Sequence, residues 1–291
     1  MAERSGWDRT GARCDVRSGN ETSRSRVRAT IFDFMLGAIV GDIIGSVHEH
    51  AGTRTKDFPL FTPQSFFTDD TVLTVAVSDW ILTGADLVDL LHEYTDAYPG
   101  RGYGLMYDRW VRRRSREPYN SFGNGSAMRV GPIGFAYDTI EDVLTWAERS
   151  AAVTHNHPEG IRGAQAAAAA IFWARRTRDR NEIRLKLEAN FGYDLDFTLD
   201  SIRSTYRFNE TCQGTVPQAL IAFLESTSYE DAVRNAISLG GDADTLACIT
   251  GGIAEAYYGG VPAEILGPGL KLLDERLTAV VNRFRERFLP A

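Results

Sequence analysis

The sequence has few cysteines and no long apolar run, and both scarcities narrow the class of protein. Its 291 residues include three cysteines, an odd number without a Cys-x-x-Cys spacing, so no disulfide framework is indicated. The most apolar segment, FMLGAIVGDIIGSV, is short and is interrupted by Asp42. This argues against both a signal-peptide core and a transmembrane helix. We therefore expect a cytoplasmic protein without a membrane partner.

Positive charge is also scarce over most of the chain. The formal net charge is −7, yet residues 1–30 contain seven arginines against four acidic residues, so the remainder is strongly acidic. An acidic body lacks the basic face that binds phosphate backbones, which argues against nucleic acid as the main partner. Residues 1–28 have few apolar residues and no periodicity, which predicts a disordered N-terminal arm.

Alternating polar and apolar residues, which are typical of strands, are missing as well. From Thr30 onward the apolar residues recur with helical spacing, and segments such as GAQAAAAAIFWARR strongly favour helix. The pattern predicts a single all-α domain over residues 29–291. The candidate helices span about 31–47, 71–84, 86–97, 105–114, 139–152, 159–177, 180–190, 216–226, 229–238, 245–258 and 269–287.

Several helix starts are indicated by a hydroxyl residue three positions before an acid or amide, an arrangement that caps a helix N-terminus. These pairs are Thr139 with Asp142, Thr215 with Gln218, and Ser228 with Asp231. Each pair predicts that the helix begins directly after its hydroxyl residue.

The first candidate helix carries a stripe of small residues. Gly37, Gly41 and Gly45 recur every four residues on one face. Such a stripe occurs in membrane dimer motifs, but the neighbouring Asp42 favours close packing of a buried helix in a water-soluble domain.

Two helix entrances have an unusual density of acids. TDDT at 68–71 and GGDADT at 240–245 each precede a run of small apolar residues. One interpretation is helix capping, since Asp and Thr accept hydrogen bonds from free N–H groups. The other is a site for two cations, because clustered carboxylates repel and Mg²⁺, Mn²⁺ and Ca²⁺ prefer oxygen ligands. The candidate ligands are Thr68, Asp69, Asp70, Asp242, Asp244 and Thr245.

Glu49, at the end of GDIIGSVHEH, is a further candidate acid. Alone, it would be interpreted as a solvated residue at the end of a helix. His48 and His50 flank it, but side chains two residues apart do not share a helix face, so a zinc site is disfavoured.

Two polar loops lie between the acidic motifs. The first contains Gly123, Asn124, Gly125 and Ser126, whose backbone N–H groups could approach a phosphate, although a plain tight loop explains the pattern equally well. The second places His155 and His157 before Pro158, a favourable first residue of a helix. A helix start can attract an anion, and a surface turn is the alternative.

Taken together and in this order, these stretches resemble the ADP-ribosylglycohydrolase family. The matching segments are GAIVGDIIGSVHE, FTDDTVLTVAV, GNGSAMRVGPIG, THNHPEGIRGAQA and SLGGDADTLACITGGIAEAYYG. They extend from about residue 35 to residue 260 and leave out the N-terminal arm. Each motif is modest by itself, whereas five in the right order are highly specific.

The resemblance implies a compact all-α orthogonal bundle that holds two Mg²⁺ or Mn²⁺ ions in a cleft. The implied metal ligands are Thr68, Asp69, Asp70, Asp242, Asp244 and Thr245. The implied catalytic acids are Glu49, Asp69, Asp70 and Asp242. The implied substrate-binding residues are Gly123, Asn124, Gly125, Ser126 and His155. Some relatives use a further Asp, for which Asp108 is the nearest candidate, in a poorly matching context.

The implied activity is hydrolysis of the glycosidic bond between ADP-ribose and a modified protein side chain, with arginine as the first candidate, and release of free ADP-ribose. One alternative is another ADP-ribosyl linkage, to serine, a nucleic-acid base or a small molecule. A non-catalytic role is the second alternative, in which the arginine-rich residues 1–28 bind and inhibit an ADP-ribosylating toxin.

Overall fold

The computed structural model describes residues 35–288, which contain helices and no strand. An isolated bridge between Gly123 and Thr211 is the nearest approach to a sheet in this part of the chain. The all-α prediction is confirmed. The helices are α1 Leu36–Gly45, α2 Asp69–Thr83, α3 Leu87–Ala97, α4 Leu105–Arg112, α5 Gly125–Met128, α6 Gly131–Ala136, α7 Ile140–Ala152, α8 Pro158–Arg176, α9 Arg180–Phe191, α10 Leu199–Ile202, α11 Cys212–Leu224, α12 Tyr229–Ile237, α13 Ala243–Tyr258, α14 Ala263–Leu270 and α15 Glu275–Phe288.

Helix α13 lies at the centre of the fold, with α1, α8, α11 and α12 packed around it. Helix α1 is buried along its whole length and crosses α13 at the glycine stripe. A Cβ atom on Gly41 would lie 2.1 Å from the carbonyl oxygen of Ala247, and one on Gly45 would lie 2.5 Å from the Cα of Asp244. The predicted close packing is therefore confirmed, and it brings the C-terminus of α1 against the first turn of α13.

Replacement of Gly251 by alanine is expected to destabilise the protein by about 3 kcal/mol or more, because the added Cβ atom would overlap the backbone of α1. That Cβ would lie 2.2 Å from the carbonyl oxygen of Gly37. The matched control is Gly252→Ala in the same helix, whose Cβ would meet the terminal methyl of Ile171 at 3.3 Å. We expect the control to stay within about 1 kcal/mol of the parent. Urea unfolding measures both, and equal losses would contradict the contact.

Two of the predicted caps are confirmed and one is wrong. The side chains of Thr139 and Ser228 accept hydrogen bonds from the third residue of α7 and α12. The start predicted at Thr215 is displaced, because Thr211 accepts from the N–H of Gly214 and α11 begins at Cys212. The first turn of α11 lacks an apolar pattern of its own, and its first residue, Cys212, is held by its N–H, which donates to the carbonyl of Phe122.

The predicted helix 269–287 is correct in its C-terminal part but starts too early. Helix α14 ends at Leu270 and α15 begins at Glu275. Between them Asp274 turns the chain and accepts a hydrogen bond from the N–H of Leu277 at 2.9 Å, which starts the new helix. The short helices α5, α6 and α10 were not predicted, since a single turn has too few residues to show a period.

The prediction of a disordered arm at residues 1–28 lies outside the described residues, and the domain boundary at residue 29 stays a prediction. Within residues 35–288 the helices group into one compact unit. None of the helices in this part is both long enough and apolar enough to cross a bilayer.

Candidate active site

A cavity of about 400 Å³ opens where the N-termini of α2 and α13 meet. Its volume lies within the range of small-molecule sites in proteins. One wall carries the carboxylates of both acidic motifs, and the facing wall is formed by the loop 119–125 together with His155. The first turn of α4 contributes the rim.

The GGDADT motif reaches this wall through a tight glycine turn. Gly240 has φ of 60°, and a Cβ on it would lie 2.8 Å from the carbonyl oxygen of Thr53. A Cβ on Gly241 would lie 2.4 Å from the ring of Tyr206. Only glycines let the chain pass between these neighbours, and the passage places the next residue, Asp242, at the cavity.

Capping is the wrong interpretation for Asp242. It occupies the N-cap position of α13, but its side chain accepts no hydrogen bond from the helix. Its carboxylate instead accepts from the Asn124 amide at 2.7 Å. Thr68 does cap α2, by accepting from the N–H of Asp70 at 3.3 Å. The side-chain oxygen of Thr68 is therefore used within its own helix, whereas the carboxylate of Asp242 is not.

The two acidic motifs meet directly. The Thr245 hydroxyl donates to Asp70 Oδ2 at 3.3 Å, while Asp70 Oδ1 is buried without a hydrogen-bond partner. One carboxylate oxygen each of Glu49, Asp242 and Asp244 lies within 4.8 Å of the other two. The predicted convergence of carboxylates is thus present in the fold.

Sequence reasoning missed Asp42, which holds the TDDT motif in place. Its fully buried carboxylate accepts from the backbone N–H groups of Thr68 and Thr71 at 3.0 and 3.1 Å, and from both of their hydroxyls. These bonds fix the first turn of α2, from which Asp69 and Asp70 project. The signal was present in the sequence, because a lone acid within an apolar helix needs buried partners.

Burial and the charge of Asp244 oppose ionisation throughout this wall. Both effects raise the pKa of Asp42 and the pKa of Glu49 to about 7. The same two causes raise pKa values well above the ordinary range at Asp69, Asp70 and Asp242. An all-oxygen donor set with an unpartnered oxygen and strong mutual repulsion fits a divalent cation.

The facing wall is a loop pinned to the segment before α11. The N–H of Asn124 donates to the carbonyl of Glu210 at 2.7 Å, and the N–H of Cys212 donates to the carbonyl of Phe122 at 2.9 Å. Gly123, Asn124 and Gly125 line the cavity. Ser126 does not, since its hydroxyl donates to the carbonyl of Gly160 at 2.8 Å.

His155 closes the inner end of this wall. It is buried. A Cβ atom built on Gly125 would lie 3.3 Å from His155 Nε2, so the ring is close to the loop. Burial, and secondly the charge of Arg129, hold the pKa of His155 well below its usual value. His157 lies outside the cavity and caps α8 by accepting from the N–H of Glu159, which matches the surface-turn interpretation.

The remaining candidates do not line this cavity. His48 Nδ1 pairs with the Thr53 hydroxyl at 2.8 Å, and His50 is exposed, so the structure does not bring the two imidazoles together. Asp108 forms an ion pair with Arg112 at 2.8 Å and is not part of the cavity lining. Thr68 stands directly behind the wall, with its hydroxyl donating to Asp42 at 2.6 Å.

The sequence also did not point to the apolar rim or to a buried arginine. Leu105, Met106 and Phe122 line the mouth with exposed side chains. Arg129 lines the inner part with a fully buried guanidinium. Apolar residues in a loop and one arginine in GSAMRVG carry no pattern that separates them from ordinary surface and core positions.

Comparison with known proteins gives consistent matches. The family model described as ADP-ribosylglycohydrolase matches residues 20–290. ADP-ribosylhydrolase ARH3 of Homo sapiens is 27% identical over 83% of this chain and 87% of that protein. ADP-ribosylarginine hydrolase Tri1 of Pseudomonas putida (strain GB-1) is 24% identical over 79% of this chain and 71% of that protein. A solved structure named ADP-ribosylglycohydrolase-related protein complex is 26% identical, with a TM-score of 0.63, over 88% of this chain and 98% of that one.

Proposed function

The chain belongs to the ADP-ribosylglycohydrolase family, and from that premise we propose that it hydrolyses the bond between ADP-ribose and a modified arginine side chain. The observation that carries the proposal is the cavity in which both acidic motifs face the glycine loop and His155. The relative named as an ADP-ribosylarginine hydrolase supports arginine as the linked residue.

ADP-ribose fits the polarity of the two walls. Its distal ribose offers hydroxyls to the acidic wall, and its diphosphate is an anion suited to the loop Gly123–Gly125 and to His155. This orientation places the glycosidic carbon beside the carboxylates. Their negative charge would stabilise the positive charge that develops on the ribose as the bond breaks.

We propose two Mg²⁺ or Mn²⁺ ions as cofactors of this wall. The residues that would hold them are Thr68, Asp69, Asp70, Asp242, Asp244 and Thr245. When bound, such ions neutralise the carboxylates and orient the ribose hydroxyls. Asn124 and Asp42 position two of the ligand groups, since they hold Asp242 and the TDDT turn respectively.

Glu49 is proposed to move the proton of the attacking water. In the metal-free protein, burial and next the charge of Asp244 raise its pKa to about 7. Burial, the larger cause, persists when cations are bound and favours a carboxyl group that can exchange a proton. Glu49→Gln is expected to lower kcat by about 10²- to 10⁴-fold, because glutamine can neither accept nor deliver that proton. Steady-state release of ADP-ribose measures the effect. Glu264→Gln, an exposed residue outside the cavity lining, is the control.

A substrate panel tests the function itself. Proteins with ADP-ribose on arginine or on serine, and an ADP-ribosylated nucleic-acid base, would be incubated with Mg²⁺ or Mn²⁺ and assayed for free ADP-ribose. We expect release from the arginine linkage and loss of release in the double variant Asp242→Ala with Asp244→Ala. Release of ADP-ribose from serine alone would mean that the enzyme acts on the serine linkage and not on arginine. No release from any member would refute the hydrolase.

The non-catalytic alternative receives less support. The two relatives described above carry names of hydrolases, and neither name supports a toxin as the partner of residues 1–28. Turnover by a chain without residues 1–28 would show that the arm is not needed for catalysis. The cytoplasmic location stays a prediction.

A further inference from the structure

Arg129 is a buried cation without an acidic partner among the described residues. It is fully buried at the inner end of the cavity. Its Nη2 donates to the carbonyl of Ser150 at 2.6 Å and to the hydroxyl of Thr154 at 2.9 Å. Its Nε and Nη1 atoms have no hydrogen-bond partner. Because a buried guanidinium is costly without a paired acid, its presence here calls for an explanation beyond packing.

The hydroxyl of Thr154 connects Arg129 to His155. Thr154 Oγ1 lies 2.7 Å from His155 Nδ1, and a hydroxyl has one hydrogen to donate. Since arginine can only donate, the hydroxyl accepts from Arg129. Among the described contacts, His155 Nδ1 is then the one acceptor for the hydroxyl hydrogen of Thr154.

The opposite arrangement would leave a buried donor unpaired. If His155 carried its proton on Nδ1, Thr154 would accept twice and its own hydrogen would have no acceptor in a fully buried position, which is unfavourable. The same loss would occur if the imidazole were doubly protonated, and the charge of Arg129 would add repulsion. The chain of hydrogen bonds therefore favours a proton on Nε2 alone.

The Nε2 atom faces the glycine loop. Cβ atoms built on Gly123 and Gly125 would lie 3.5 and 3.3 Å from it, so side chains at either position would crowd this nitrogen. All three residues line the cavity. A proton on Nε2 thus points at the part of the cavity proposed above for the diphosphate.

We infer that Arg129 and Thr154 are positioning residues that lock His155 as the neutral Nε2–H tautomer, so that it donates a hydrogen bond to a phosphate oxygen of the ligand. The site of that hydrogen bond rests on the proposed function, whereas the tautomer does not. A neutral donor held in this way works over the whole neutral pH range, because it does not need to gain a proton before it binds an anion.

The tautomer can be read directly from the free protein. Long-range ¹H–¹⁵N correlation spectra of the imidazole rings separate the two neutral tautomers, and the spectrum of His155→Gln identifies the His155 signals among the five histidines. We expect the Nε2–H pattern in the parent chain and in Thr154→Ser, which keeps the hydroxyl. Thr154→Val, which has nearly the same shape without the hydroxyl, is expected to show a tautomer mixture.

Binding of ADP-ribose in the presence of Mg²⁺ gives the second readout. Thr154→Val is expected to bind about 10-fold more weakly, and Thr154→Ser is expected to bind as the parent does. An Nδ1–H pattern in the parent chain, or an unchanged pattern in Thr154→Val, would overturn the inference. The spectrum of the parent chain alone can do so even if the valine variant does not fold. Failure of the hydrolase assay would instead count against the proposed function.

Discussion

Replacement of Asp244 by asparagine is expected to remove most turnover and, at the same time, to stabilise the metal-free protein. The charge of Asp244 is a cause of the raised pKa at every other carboxyl group of the acidic wall. Those groups are Asp42, Glu49, Asp69, Asp70 and Asp242. Asparagine keeps the shape and the oxygen that accepts from the N–H of Thr245 at 2.9 Å, but it lacks the charge.

Turnover should fall while the stability of the metal-free protein rises, because the carboxylates are assembled for a bound ligand and repel one another without it. We expect kcat to fall by about 10²- to 10³-fold, the usual loss when one preorganised electrostatic group is removed. The free energy of unfolding in EDTA should rise by about 1–2 kcal/mol at pH 8. Urea unfolding and ADP-ribose release measure the pair of effects.

Asp108→Asn is the matched control for this experiment. Asp108 forms an ion pair with Arg112, in which the arginine is well exposed, and it is outside the cavity lining. Its loss should change stability by less than about 1 kcal/mol and leave turnover near the parent value. An Asp244→Asn protein that is less stable than the parent in EDTA would show that repulsion does not dominate this wall.

The convergence of the two acidic motifs could be predicted because it follows from local chemistry. Asp69, Asp70, Asp242 and Asp244 stand before small apolar residues, and buried carboxylates need positive partners. The glycine stripe of α1 was equally readable, since residues four apart share a helix face. In both cases the relevant pattern lies within a few turns of one helix.

The remaining features depend on contacts between segments far apart in the sequence. Asp42 becomes a positioning residue only because α1 and α2 meet at Thr68. The start of α11 at Cys212 depends on the loop paired with it. The hydroxyl of Thr154 connects Arg129 to His155, and no residue near Arg129 in the sequence indicates this connection.

The metal-free protein is expected to become more stable as the pH falls from about 8.5 to about 6.5. Asp42 and Glu49 titrate near 7 in the folded chain, against ordinary values of 3.8 and 4.5. The folded state therefore holds more protons than the unfolded state over this range, and stability decreases with rising pH. The penalty is fully present only well above the folded pKa, near pH 8.5, and is relieved as the pH falls through that pKa.

The magnitude should be on the order of 1–3 kcal/mol, as a pKa displaced by one unit corresponds to about 1.4 kcal/mol. The buried histidines set the lower limit of the range. Burial lowers the pKa of His48 and of His155, so below pH 6.5 the unfolded chain gains protons there, which opposes the effect of the carboxyl groups and makes the further increase in stability smaller.

Urea unfolding in EDTA at three pH values between 6.5 and 8.5 measures this slope, and addition of Mg²⁺ should reverse it. Cations bind deprotonated carboxylates, so the stabilisation by Mg²⁺ increases with pH. The repulsion between the carboxylates also increases with pH, and the bound cations cancel it. Asp244→Asn should make the slope in EDTA shallower, since the charge that raises the pKa of Asp42 and Glu49 is gone. A slope of the opposite sign in EDTA would mean that the acidic wall is ionised without cost, and the physical reason for placing cations there would then be lost.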